Sequence, residues 1–207
     1  MKILKIIFVP FLLVISWFYR TIIEIRNLLY DLGFYKSINF ETPIISVGNI
    51  SIGGTGKTPM VIYLSKLLKK HGINVGIISR GYGRKSNGII IVHNEKKLLV
   101  DAKIGGDEPY LIGKELKNTP IVVSNNRKKG IDTLLNQFKV DVILLDDGFQ
   151  HRKVNRDIDI VLISAEDSEE SYKSLPLGKL REPLRSLKRA HYIIYTKTNN
   201  YNNPKIH

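Results

Sequence analysis

The sequence predicts an α/β fold, in which a parallel β-sheet carries helices on both faces and is preceded by an amphipathic amino-terminal helix. Three observations support this prediction. Short apolar runs typical of buried strands alternate along the chain with segments whose apolar residues recur at helical spacing. One of these strands leads through a glycine-rich turn directly into a helix. Charged residues follow several strands, and parallel strands would bring them to one edge of the sheet.

Length and composition exclude several classes of protein. A chain of 207 residues with 43% hydrophobic residues can form one sizeable domain, and it is neither disordered nor a membrane bundle. The absence of cysteine excludes disulfides and thiolate metal sites and fits a cytoplasmic location. The net charge of +13 predicts an anionic partner, which could be a nucleotide, an acidic lipid surface or a nucleic acid.

The amino-terminal segment, residues 1–38, is predicted to associate with a membrane surface. An apolar run extends from Ile6 to Tyr19 and is bounded by cations. It is too short to cross a hydrocarbon core, which requires about 20 residues. Apolar and polar residues then alternate at helical spacing, so we expect a helix lying in the interface. The residues expected at headgroup level are Trp17, Tyr19, Arg20 and Arg26. The alternative is a helix packed on the domain's own core.

Residues 44–70 predict a strand, a phosphate-binding loop and a helix, in that order. Glycines let the loop direct its backbone N–H groups toward phosphate oxygens at a helix N-terminus. Lys57 would reach the β- and γ-phosphates, and the Thr58 hydroxyl would ligate Mg²⁺. Ser51 stands where the general pattern has glycine, and an ordinary strand–helix turn is the alternative. The predicted nucleotide-binding residues are Ser51, Ile52, Gly53, Gly54, Thr55, Gly56, Lys57 and Thr58.

Six further strands are predicted along the chain. They span residues 75–79, 89–92, 120–123, 140–147, 157–163 and 192–195. Ligands bind at the carboxyl edge of an open parallel sheet, so side chains that directly follow a strand are candidates for substrate contact. Arg80, Tyr82 and Arg84 follow one strand, and Arg127 follows another. A solvated basic loop is the alternative for residues 80–84.

Two pairs of adjacent acids are candidates for binding Mg²⁺ or for acting as a base. Asp107 and Glu108 precede a helical segment, where one acid can instead serve as the N-cap. Asp146 and Asp147 end a buried apolar run, which would place them beside the phosphate loop and its metal ion. His151 follows this second pair in the segment GFQHR.

The carboxyl-terminal third favours two interpretations. Residues 175–191 interleave cations with leucines, a pattern typical of an amphipathic helix with a solvated face, although near phosphates the cations could bind an anion. Residues 196–199 (TKTN) are similar to the guanine-reading T-K-x-D of GTPases. Asn199 accepts hydrogen bonds less well than that acid, and Leu145 occupies the position that a D-x-x-G switch would need. A GTPase is therefore a weaker hypothesis, as is nucleic-acid binding, because no base-stacking or groove-reading motif occurs.

Five motifs occur in order: SVGNISIGGTGKTP, SRGYGR, GGDEP, DDGFQHR and PLGKLREPLRSLKRA. Together they resemble the tetraacyldisaccharide 4′-kinases of lipid A synthesis, from the amino terminus to about Lys197. Ser51 matches this family. The resemblance implies a P-loop NTPase-type kinase that transfers the γ-phosphate of ATP, with Mg²⁺, to the 4′-hydroxyl of a lipid disaccharide 1-phosphate. It also implies a peripheral location at the cytoplasmic face of the inner membrane.

The resemblance assigns roles to individual residues as well. Asp107 aligns with the family's proposed base, and Glu108, Asp146 and Asp147 align with its metal-side acids. The residues that align with those around the substrate or phosphates are Arg80, Tyr82, Arg127, His151 and Arg181. The expected catalytic set is Asp107, Lys57, Asp147 and His151.

The predicted organisation is a membrane-associating segment at 1–38, a P-loop kinase domain at 39–198 and a polar tail at 199–207. Members of the family usually continue into a second lobe that closes the cleft, and we expect this chain to lack it. An ATP- and membrane-binding fragment with impaired catalysis is therefore the alternative to an active kinase. The expected partners are a lipid A disaccharide precursor and an anionic membrane surface, with neither nucleic acid nor a protein partner.

Overall fold

A computed structural model describes residues 2–200, with side chains for residues 9–199, and contains a seven-stranded sheet. The strands are β1 Ile44–Asn49, β2 Val75–Ser79, β3 Ile89–Asn94, β4 Pro120–Ser124, β5 Val142–Asp146, β6 Ile158–Ser164 and β7 Tyr192–Thr196. Their order across the sheet is β3-β4-β2-β5-β1-β6-β7. Every predicted strand is present, with its ends shifted by no more than two residues. Most of the predicted polar tail at 199–207 lies outside the described residues.

Helices cover both faces of the sheet, as predicted. The α-helices in the described chain are α1 Lys2–Asp31, α2 Lys57–Lys70, α3 Ala102–Gly105, α4 Asp107–Glu115 and α5 Arg127–Gln137. Successive strand residues point to opposite faces, so Ile77 packs in the cluster under α2 and α4. Its neighbour Ile78 packs in the cluster under α5, beside Ile131 and Leu134. The sheet is thus the middle layer of a three-layer sandwich.

One edge strand departs from the predicted parallel arrangement. β3 pairs antiparallel with β4, whereas the other described strand pairs are parallel. The connection from β2 to β3, residues 80–88, contains no helix, so the chain stays at the carboxyl edge of the sheet and β3 must run back from there. A parallel strand would need a longer crossover, usually a helix, to return to the opposite edge.

The predicted amphipathic helix over residues 175–191 is wrong. Only Leu184–Arg189 is helical, as a 3₁₀ helix. Pro183 immediately precedes it and cannot donate the hydrogen bond that a continuous α-helix would need there. The residues before Pro183 instead lie along the phosphate loop and pair with it through the backbone. Ser51 and Leu180 form an isolated bridge, and the Ile52 N–H donates to the Lys179 carbonyl at 2.7 Å.

The long helix α1 packs on the body of the protein through polar side chains. The Ser16 hydroxyl donates to the Ser174 carbonyl at 2.9 Å, and the buried Asn27 amide donates to the Glu182 carboxylate at 3.1 Å. Tyr19 and Arg26 also donate hydrogen bonds to the body, to residues far along the chain, so their polar groups face the protein. Their expected position at headgroup level stays a prediction.

The outward face of α1 is apolar. Its exposed large apolar residues include Phe11, Leu13, Val14, Trp17, Phe18, Ile22, Ile25 and Leu28. The expected amphipathic helix is therefore present, but its polar stripe faces the protein and its apolar stripe faces outward. The alternative, a helix packed on the domain's own core, is correct in that α1 packs on the domain, but the packing is through polar side chains and no described residue of α1 belongs to the apolar core clusters. No helix in the described part of the chain is long and apolar enough to cross a membrane.

Candidate active site

The glycine-rich loop between β1 and α2 has the geometry of an anion-binding loop. Gly53 has φ +117 and Gly56 has φ +84, conformations that side chains rarely adopt. Gly56 stands at the N-cap of α2 without a side-chain capping bond, so the first N–H groups of the helix stay available to a ligand. Asn49, buried at the end of β1, donates to the Thr55 hydroxyl at 2.9 Å and fixes the loop from within.

Two residues that the sequence analysis does not assign to the phosphate loop hold it in place through hydrogen bonds. The Thr196 hydroxyl donates to the Thr55 carbonyl at 3.0 Å, so the TKTN segment contacts the loop through its threonine. Gln150 donates from its side-chain amide to the Asn49 carbonyl at 2.7 Å. Both lie in motifs singled out in the sequence, but only the order of strands in the sheet shows that they meet the loop.

Asp147 holds two cations together at the end of β5. Its carboxylate lies 3.0 Å from Arg181 Nη1 and 3.6 Å from Lys57 Nζ. Burial acts to raise the pKa of Asp147, but the charges of Lys57 and Arg181 outweigh it, and the net pKa is lowered. Asp147 also has φ +54, so this carboxylate is held in a strained backbone position. The structure therefore brings three of the predicted site residues close together, namely Lys57, Asp147 and Arg181.

Asp146 is fully buried behind this cluster. The Ser79 hydroxyl donates to one of its carboxylate oxygens at 2.9 Å, and the other oxygen accepts no hydrogen bond from any described residue. Burial, and next the charge of Glu108, raise the pKa of Asp146 to about 6. An unpaired buried carboxylate oxygen is costly, so the site is suited to a cation that would satisfy it.

Arg127, the first residue of α5, hydrogen-bonds to the backbone at the carboxyl ends of β4 and β5. It is only 3% exposed, and it donates to the Ser124 carbonyl at 2.8 Å and to the Asp146 carbonyl at 3.3 Å. Burial lowers the pKa of Arg127 to about 10, so the guanidinium remains charged at neutral pH. Arg127 thus supplies a fixed positive charge behind the two aspartates.

Next to these groups lies a cavity of about 400 Å³, here called the cationic cavity. Its lining residues are Arg26, Tyr30, Arg80, Asn125, Arg127, Asp147, Gln150, His151, Arg152, Lys153 and Arg181. Burial and the surrounding arginines, first among them Arg127, lower the pKa of His151 to about 4, so its imidazole is neutral at pH 7. With one acid among many cations, the cavity is suited to an anionic ligand such as a phosphate.

Some predicted site residues are not gathered at this cavity. Tyr82 is 85% exposed on the loop after β2. Asp107 and Glu108 form the first turn of α4 with exposed side chains, and Glu108 influences Asp146 only through its charge. The capping alternative for these acids is wrong, because Gly106 is the N-cap of α4 and Asp101 caps the preceding helix α3.

Comparison with known sequences identifies the relatives of this chain. A family model described as tetraacyldisaccharide-1-P 4′-kinase (LpxK) matches residues 8–206. A protein named tetraacyldisaccharide 4′-kinase from Aquifex aeolicus is 46% identical over 185 residues, which are 89% of this chain and 58% of that protein. The protein of the same name from Chlorobaculum tepidum is 45% identical over 182 residues, which are 86% of this chain and 52% of that protein.

Structural comparison agrees with these findings. The chain superposes with a TM-score of 0.88 and 43% identity on the structure of the "apo" form of LpxK from Aquifex aeolicus in complex with ATP. The match covers 99% of this chain and 62% of that one, and the chain spans about half the length of the curated relatives it matches. This chain belongs to the tetraacyldisaccharide-1-phosphate 4′-kinase family.

Proposed function

We propose that the chain transfers the γ-phosphoryl group of ATP to the 4′-hydroxyl of a tetraacyldisaccharide 1-phosphate. The observation that carries this proposal is the position of Asp147, held between Lys57 of the phosphate loop and Arg181 at the wall of the cationic cavity. A triphosphate on the loop and an anionic acceptor in the cavity would meet at this carboxylate. Family membership supports the proposed identity of the two substrates.

The triphosphate would be bound by residues 51–58. Their backbone N–H groups and the positive end of α2 would contact the phosphate oxygens, and the Lys57 ammonium would neutralise charge on the β- and γ-phosphates. The ion pair between Lys57 and Asp147 holds the ammonium near the loop before the nucleotide arrives. Binding therefore requires little rearrangement of the lysine.

The residues at the end of β5 fit Mg²⁺. One oxygen of Asp146 is buried and accepts no hydrogen bond from a described residue, and the buried Oδ1 of Asp147 lies 3.6 Å from the Lys57 ammonium, beyond hydrogen-bond distance. Hard carboxylate oxygens are the ligands that Mg²⁺ prefers. The described residues contain no cluster of three or more acidic or histidine ligands. Mg²⁺ sites usually consist of one or two carboxylates with substrate phosphates and water, so such a cluster is not required. Thr58 and Glu108 would complete the metal side, and the ion would shield charge on the transferred phosphoryl group.

For the acceptor, we propose that Asp107 takes the proton of the attacking hydroxyl and that the cationic cavity positions the anionic sugar. Arg80, Arg127 and Arg181 would bind acceptor or transferring phosphates, and Tyr82 would lie at the open side of the substrate. His151 is neutral at pH 7, so it can donate or accept a hydrogen bond without adding charge. Phosphoryl transfer depends mainly on positioning and charge neutralisation, and these groups would supply both.

We further propose that residues 1–38 bind the cytoplasmic face of the inner membrane and that residues 39–198 form the kinase domain. The exposed apolar stripe of α1 supports this, because water contact with so many large apolar side chains is unfavourable and a lipid boundary would relieve it. Flotation with anionic vesicles tests this proposal. Replacing Trp17 and Phe18 by serine should weaken vesicle binding about tenfold or more, whereas replacing the exposed Tyr63 of α2 should not.

The kinase proposal is tested by transfer of labelled γ-phosphate to a lipid A disaccharide 1-phosphate in mixed micelles with Mg²⁺. The variant Asp107→Asn should abolish transfer while ATP remains bound. Asp132→Asn is the matched control, because Asp132 is a partly exposed acid on α5 whose described ion pair is to Lys128. If the unsubstituted chain transfers phosphate, equal transfer by the two variants would rule out Asp107 as the base.

A narrower function is favoured by one observation, namely that the proposed base Asp107 has an exposed side chain and does not line the cationic cavity. In that case the chain binds ATP and membranes but does not transfer phosphate by itself. ATP binding with no detectable transfer, under conditions in which a full-length relative is active, would establish the narrower function. Transfer by this chain alone would exclude it.

A further inference from the structure

The buried carboxylate of Glu182 connects α1 to the rest of the protein. Glu182 is 1% exposed, and it accepts hydrogen bonds from Arg26 at 3.0 Å, from Asn27 at 3.1 Å and from Arg189. Two of these three donors belong to α1. A buried carboxylate that loses its partners is strongly unfavourable, so the carboxylate and this helix hold each other in place.

The residue before Glu182 is Arg181, which reaches the candidate active site. The Arg181 guanidinium donates to Asp147 at 3.0 Å, while its carbonyl accepts from the hydroxyl of Tyr19, a third residue of α1, at 2.9 Å. The backbone N–H of Arg181 donates to the Ile50 carbonyl at 2.8 Å, one residue before the phosphate loop begins. The adjacent residues Arg181 and Glu182 therefore contact α1 on one side, and on the other side they contact the phosphate-loop region and Asp147.

A second contact joins the same groups. Arg189, which donates to Glu182, lies over the ring of Phe149 with 4.4 Å between the guanidinium carbon and the ring centroid. Phe149 is fully buried and comes two residues after Asp147. A displacement of Glu182 would thus reach Asp147 by two routes, through Arg181 and through Phe149.

We propose that Glu182 is a positioning residue that couples the seating of α1 to Arg181, and through Arg181 to Asp147 in the nucleotide site. This inference rests on the proposed function, because it assumes that the phosphate loop binds ATP. By linkage, loosening α1 lowers the affinity for ATP although α1 does not contribute to the phosphate loop. The polar side of α1 then sets the geometry of the nucleotide site, while its apolar side faces outward.

The test measures the dissociation constant of Mg·ATP, by fluorescence with a labelled analogue, for variants that weaken only the seating of α1. The double variant Tyr19→Phe/Asn27→Ala removes the hydrogen bonds to Arg181 and Glu182 at two residues that do not line the cationic cavity. It also removes the bond that Asn27 accepts from Arg26 at 3.2 Å, but Arg26 keeps its ion pair with Glu182. We expect the dissociation constant to rise about fivefold or more, the lower limit of typical coupling between sites. Glu182→Gln, which keeps the side-chain shape, should act in the same direction.

Arg185→Ala is the matched control, because its ion pair with Glu24 of α1, at 3.1 Å, does not involve Glu182 and is solvent-exposed on the arginine side, so it contributes little to the seating of α1. It should leave the dissociation constant unchanged. A double-mutant cycle provides the second readout: in an Arg181→Ala background, the α1 double variant should have a smaller effect, because only the route through Phe149 remains. Circular dichroism verifies that each variant is folded.

Three results would overturn the inference: an unchanged dissociation constant in the folded α1 variants, an equal rise in Arg185→Ala, or additive effects in the Arg181→Ala background. Failure of the unsubstituted chain to bind Mg·ATP is a different outcome. It would refute the nucleotide site itself, and the coupling with it.

Discussion

Alanine substitutions at two glycines of the phosphate loop separate backbone strain from steric crowding. At both Gly53 and Gly54, no described atom lies within 4 Å of the position that a Cβ would occupy. They differ in backbone conformation, because Gly53 has φ +117 whereas the φ of Gly54 lies outside the left-handed range. Since space is equally open at the two sites, only Gly53→Ala should be strained. A residue held in a sparsely populated backbone region costs about 1–3 kcal/mol.

We therefore expect Gly53→Ala to lower the free energy of unfolding by about 1–3 kcal/mol. For a chain of this size, each kcal/mol corresponds to about 2–4 °C, so Tm should fall by about 2–12 °C. Gly54→Ala should stay within about 0.5 kcal/mol of the unsubstituted chain. Urea denaturation and a thermal scan without nucleotide measure both values. Equal losses at the two positions, or no loss at Gly53, would refute the assignment of strain to the Gly53 backbone.

Three further predictions concern the core, the nucleotide site and pH. Leu134→Ala should lower the free energy of unfolding by about 3–5 kcal/mol in urea denaturation, because Leu134 is fully buried, whereas Leu111→Ala, at a half-exposed position, should lower it by less than about 0.5 kcal/mol. Lys57→Ala should weaken Mg·ATP binding about a hundredfold by isothermal titration, because it removes the cation of the phosphate loop; a change below threefold would contradict the assigned role. The folded pKa of His151, about 4, lies below the unfolded value of 6.5, so protonation disfavours the folded state and stability is lost as pH falls from 6.5 toward 4. His151→Gln should lose less stability over that interval. Asp146 contributes in the opposite direction, because its pKa is raised in the folded state, but this contribution is the same in both proteins and cancels when they are compared.

Local patterns in the sequence predicted most of the sheet and the phosphate loop. Apolar runs of strand length mark buried parallel strands, and glycines followed by Lys57 and Thr58 mark the strand–loop–helix unit, because each depends on residues adjacent in the chain. The position of Asp147 beside Lys57 followed from one further rule, that parallel strands end at a common edge. These features needed no knowledge of distant contacts.

Features that depend on distant partners were not predictable in this way. The orientation of α1 is the clearest case, because the polar groups of Tyr19 and Arg26 are seen to face the protein only once their partners, Arg181 and Glu182, are known. The antiparallel direction of β3 is a second case, because the connection before it has no helix and keeps the chain at the carboxyl edge of the sheet. At Ser79 the sequence indicates only a strand, although the hydroxyl of this residue donates a hydrogen bond to the buried Asp146.

The order of strands across the sheet has a consequence for synthesis of the chain. β1, which carries the phosphate loop, pairs with β5 and β6, and Ile44 faces Ile143, so its partners leave the ribosome much later than β1 itself. At 5–20 residues per second, this delay is on the order of ten seconds. Throughout it, α1 has emerged while Glu182, its later anchor, has not yet been made. The apolar stripe of α1 is therefore exposed before the polar partners of the helix exist. Under the membrane association proposed above, the domain would then assemble around a helix already bound to lipid.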